Sequence, residues 1–148
     1  MNKTKLLLGT SLAVLLAANA AEAGTLYFAN LDQANENSPS GSLSTGTGFI
    51  ILNDAETLAT ITASHNITLP LTGGHIHRGV ATVNGPVIFP FPSAASPVGP
   101  LTWAPTRTDV RDLKNSGLYM NFHTSANPGG EIRDTLVRSL LAPAANDS

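Results

Sequence analysis

The chain has 148 residues, no cysteine, a net charge of −2 and only 12% charged side chains. The absence of sulfur in thiol form excludes disulfide scaffolds, thiolate zinc centres, iron–sulfur clusters and cysteine nucleophiles. Eight basic against ten acidic side chains leave no basic surplus for a nucleic-acid partner, and the four histidines are the only side chains whose unperturbed pKa lies near neutrality.

Residues 1–23 read as a cleaved signal peptide. Lys3 and Lys5 precede an apolar run from Leu6 to Ala20, and Ala21-Glu22-Ala23 has the small-x-small pattern of a cleavage site. The run is shorter than the roughly twenty residues needed to span a bilayer, so no membrane contact is expected of the mature form. The expected product is secreted or periplasmic. Its stability must then come from its core alone.

Thr25 to Leu31 alternates in character and reads as a first strand. After a polar loop from Gln33 to Ser44, Thr45 to Asn53 and Glu56 to Ile67 form two β-branched strands around the turn Asn53-Asp54-Ala55. His75 to Arg78 is a short segment after Gly73-Gly74, and Pro86 to Phe89 is another. A proline-rich loop then runs to Pro105, with Trp103 expected in the core. Thr106 to Ser116 is the one helical candidate, capped by Thr106 or Thr108, striped by Val110 and Leu113 and stopped at Gly117. Leu118 to Ser125 and Glu131 to Val137 flank Asn127-Pro128-Gly129-Gly130, a second hairpin. Six or seven short strands with frequent turns predict one β-sandwich or open barrel over residues 24–138, followed by a loose tail, 139–148.

Strand parity places the histidines. His75 and His77 flank Ile76, so both rings leave one side of the sheet. In the later strand Leu118, Met120, Phe122 and Thr124 form the core parity, which puts His123 on the polar face with Tyr119 and Asn121. Pairing across the hairpin is expected to extend that row through Glu131 and Arg133. Three imidazoles on one face suit zinc or copper, although His-x-His alone also fits a pair of solvated histidines. His65 shares parity with Ile61, Ala63 and Ile67, which points to a hydrogen-bonded core histidine rather than a ligand.

Four ordered blocks carry a resemblance: Gly74-His75-Ile76-His77, Val83-Asn84-Gly85-Pro86-Val87, Gly117 to Thr124 with its Tyr119-x-Asn121-x-His123-Thr124 core, and Pro128-Gly129-Gly130-Glu131-Ile132-Arg133. Together they resemble the CHRD domain, across about Leu26 to Val137. The resemblance implies an all-β fold, an immunoglobulin-like or superoxide-dismutase-like antiparallel β-sandwich with one short helix, in an exported protein. It implies no established activity.

The expected function is metal binding at a surface site of His75, His77 and His123, with copper favoured and zinc the alternative. Asn121, Glu131 or backbone groups would orient the rings. The alternative is a structural or protein-interaction domain whose histidines only build hydrogen-bond networks. An enzyme is the weakest expectation. A copper–zinc dismutase site needs more histidines than the chain has and a disulfide, and no Gly-x-Ser-x-Gly elbow is present.

Overall fold

The computed structural model describes residues 24–140; the expected signal peptide and most of the expected tail lie outside the described residues. The described residues form strands β1 (Gly24–Leu31), β2 (Gly46–Asn53), β3 (Ala59–His65), β4 (Leu71–Arg78), β5 (Val87–Pro90) and β6 (Val98–Trp103). Helix α1 (Arg107–Lys114) follows, then β7 (Leu118–Thr124), β8 (Ile132–Thr135) and β9 (Val137–Arg138). One sheet has the order β6-β3-β2-β1-β9 and the other β5-β4-β7-β8, all pairings antiparallel. This is the expected all-β sandwich with one short helix. No described helix is long and apolar enough to cross a membrane.

Alternation builds the core. Tyr27, Ala29 and Leu31 of β1 and Ile50 and Leu52 of β2 face Ile76 of β4, Met120 and Phe122 of β7 and Ile132 of β8, all buried in one cluster. Burying such side chains contributes about 1.5–3 kcal/mol each against exposure, which lets the domain dispense with disulfides.

Two local expectations change. The stretch Val98–Trp103 is a strand, not a loop. Its proline, Pro100, is tolerated because β6 lies at a sheet edge, where a missing N–H need not break a ladder on both sides. Gly73-Gly74 lies inside β4 rather than before it. A Cβ at Gly74 would stand 2.7 Å from Phe91 and 2.8 Å from Phe122, so core packing demands glycine there. Trp103 is buried in the core, as expected.

The helix matches its signals closely. Thr106 and Asp109 form a reciprocal capping box, and Val110 and Leu113 are buried. The left-handed residue beyond its end is Ser116 (φ 56°), while Gly117 donates its N–H to the Asp112 carbonyl at 2.7 Å. Arg78 at the end of β4 ties the helix down, reaching Asp109 at 2.5 Å and Asp112 at 2.9 Å.

Candidate metal centre

The three histidines come from two neighbouring strands. Between β4 and β7 the register pairs His77 with Tyr119, His75 with Asn121 and Gly73 with His123. Paired residues share a face, so all three imidazoles leave the outer side of the second sheet. Gly73 makes their convergence possible. A Cβ there would lie 2.9 Å from Cε1 and 3.0 Å from Nε2 of His75, so the ring leans over the glycine toward His123. The His75 and His123 ring centroids are then 4.9 Å apart, His75 and His77 5.4 Å, and His77 and His123 5.7 Å. One ring nitrogen from each can be chosen so that all lie within 4.8 Å of one another. A tetrahedral ion with bonds of about 2.05 Å needs ligand nitrogens about 3.4 Å apart, a spacing that small ring rotations would reach. Replacing Gly73 with alanine is expected to push the His75 ring aside and weaken the metal binding proposed below by about tenfold, read by competition against a chelator of known affinity.

The outer nitrogens of two rings are fixed by backbone carbonyls. His77 Nδ1 lies 2.9 Å from the Gly85 oxygen, and His123 Nδ1 lies 3.0 Å from the Pro128 oxygen. A carbonyl only accepts, so each Nδ1 carries the proton and each Nε2 presents a lone pair. One nitrogen of each ring, His75 Nδ1, His77 Nε2 and His123 Nε2, is buried without a hydrogen-bond partner. His77 also stacks on Tyr119 at 4.8 Å, and the Tyr119 hydroxyl accepts the Gly85 N–H at 2.9 Å, closing a loop around that ring.

Burial lowers the pKa of all three imidazoles. For His123 it falls to about 4, with the Pro128 bond opposing the drop and the charges of His75, His77 and Arg133 adding to it. The neutral rings that metal binding requires are therefore the resting form. The sign for stability follows. His123 titrates near 6.5 when unfolded and near 4 when folded, so the metal-free protein loses stability as pH falls through this window. Urea denaturation of the metal-free protein and of His123→Gln should show the stability gap moving against the wild type as pH falls below about 6.5.

The site is partly covered, with His75 and His123 half-buried. His77 is buried, and its neighbours Tyr119, Asn121 and Arg133 are 1%, 0% and 1% exposed. Strand parity identified the polar face correctly but not its cover. Segments around Glu36, Ala81–Gly85 and Pro128–Gly130 fold over it, held by Arg133. That guanidinium donates to Ala81 O at 3.0 Å, Asn84 Oδ1 at 3.1 Å and Gly129 O at 2.9 Å, and its Nε lies 2.6 Å from Glu36 Oε2. Its plane also sits 5.0 Å from the Tyr119 ring centre. Burial pushes the Glu36 carboxyl up to about 7 against the pull of Arg133.

Glu131 does not join the row. Strand β8 starts at Ile132, so Glu131 lies in the bend before it, where strand parity does not apply. Its carboxylate accepts instead from Thr124 Oγ1 at 2.8 Å and Asn127 Nδ2 at 2.5 Å, bracing the hairpin. Ring orientation falls to the backbone alternative, the Gly85 and Pro128 carbonyls. His65 stays outside the cluster: Nδ1 accepts the Ile67 N–H at 3.3 Å, Nε2 then donates to Ala94 O at 2.8 Å, and the ring packs on Phe122 at 4.6 Å. Glu36 and Gly73 carry no motif that marks their roles.

The fold and site define an all-β sandwich with a partly covered imidazole cluster on the outer side of one sheet. The family model of the CHRD domain matches residues 27–136, and the chain belongs to that family. No curated protein and no solved structure matches it. All four sequence blocks meet at the cluster: two supply its rings, and the blocks around Gly85 and Pro128 supply the carbonyls that orient them.

Proposed function

We propose that this protein is an exported binder of one transition-metal ion, copper in preference to zinc, held by His75, His77 and His123. The observation that carries the proposal is a cluster of three imidazoles able to bring one nitrogen each within 4.8 Å of the others, every ring having a buried nitrogen without a partner and two being tied by the opposite nitrogen to a carbonyl. If the histidines served only a hydrogen-bond network, those nitrogens would be desolvated for nothing, at about 1–3 kcal/mol apiece. A thiolate-free imidazole set suits divalent copper, which stands above zinc in the affinity order. The carbonyl contacts correspond to the outer-shell groups that fix tautomers in metal centres.

Isothermal titration of purified protein with Cu(II) tests this. One ion per chain is expected. With free ion at a hundred times Kd the folded state gains about 2.7 kcal/mol, which raises the Tm of a domain this size by roughly 10 °C. A flat titration with an unchanged Tm contradicts the proposal.

A further inference from the structure

Asn121 is 0% exposed, yet its side chain is barely satisfied. Its Nδ2 reaches Gly129 O only at 3.5 Å, and its Oδ1 has no partner. Among the described residues six buried side-chain atoms lack a hydrogen bond. Two belong to the Glu36–Arg133 ion pair, and the other four are the three imidazole nitrogens and Asn121 Oδ1. The residues that carry the four are neighbours by register. Asn121 pairs with His75 across β4–β7 and with Arg133 across β7–β8, and it stands two residues from His123 on the same face. Paired residues on one face have Cβ atoms about 5 Å apart.

We propose that Asn121 Oδ1 faces the coordination position that three histidines leave open, and accepts a hydrogen bond from the water held there. The inference rests on the metal reading above. Three imidazoles leave a four-coordinate ion one exchangeable position. An amide oxygen is a hard donor better matched to calcium or magnesium than to copper or zinc, so it serves as an acceptor from the bound water rather than as a fourth ligand. A lone acceptor selects what binds. Fourth ligands that carry a hydrogen to donate, such as water or ammonia, are favoured. Bare anions such as azide place lone pairs against the amide oxygen and are disfavoured.

The test uses copper-loaded protein. Azide titration followed by its charge-transfer band should give a Kd about five- to tenfold lower in Asn121→Leu than in the wild type, the value of one hydrogen bond made by water and not by azide. Copper stoichiometry should stay at one in both. Deuterium ENDOR of the wild type in D2O needs no variant to fold, and it should show the strongly coupled exchanged deuterons of a metal-bound water. Equal azide affinity in the two proteins, or a wild-type spectrum without those couplings, overturns the role of Asn121 while leaving the three-histidine centre standing. Failure of the wild type to take up copper overturns the centre itself.

Discussion

Replacing Arg133 with methionine is expected to cost about 3–5 kcal/mol of stability, the range for removing one member of a buried ion pair. The guanidinium is 1% exposed and makes three hydrogen bonds to loop oxygens besides its contact with Glu36. Methionine keeps the bulk but leaves the Glu36 carboxylate without its countercharge. The deficit should shrink as pH falls. Glu36 already titrates at about 7, raised from its ordinary value by burial, and without Arg133 it rises further. Protonation then removes the unpaired charge, and because the wild-type carboxyl is itself neutral below about pH 7, the deficit shrinks as pH falls toward about 7 and changes little below it. Combining Glu36→Leu with Arg133→Met should restore most of the loss, because removing both charges is often close to neutral where removing one is not. Urea denaturation of the four proteins in this cycle measures the coupling. Independent, additive losses would show that the pair does not act as a unit.

The second large effect is on the proposed metal centre. His123→Ala should lower copper affinity by more than about a hundredfold, since even outer-shell substitutions at metal centres cost about 10–100-fold. The fold should survive it. His123 is half-buried, its one hydrogen bond is to a turn carbonyl, and the apolar residues of β7 point the other way. Circular dichroism and competition against a chelator separate the two outcomes. Full affinity in the variant would remove His123 from the site.

Much of this architecture is legible in the chain. Alternation and turn chemistry identify β1, β2, β3 and β7, and Thr106 with Val110 and Leu113 identifies the helix. Parity is consistent with one face for His75, His77 and His123, and the β4–β7 pairing puts that face on one sheet. Three things are not legible, each for a physical reason. Prolines at 97 and 100 hide β6, because edge strands obey looser rules than central ones. Parity cannot show that the outer face is covered, because the cover comes from irregular segments whose paths follow no period. The partnership of Arg133 with Glu36 joins a strand to a loop nearly a hundred residues away, and no local pattern encodes it. The blocks containing Gly85 and Pro128 carry a weaker signal. Their family resemblance marks them as important, but the atoms they contribute are backbone carbonyls, which side-chain identity does not announce.

The proposed centre depends on one arrangement, in which three imidazoles meet at a single ion. Continuous-wave EPR of protein loaded with one equivalent of Cu(II) tests it most directly, because each coordinated nitrogen splits the copper signal. The account predicts a pattern from three imidazole nitrogens in the wild type and two in His123→Ala. A wild-type pattern from fewer than three nitrogens, or one that His123→Ala leaves unchanged, would contradict it.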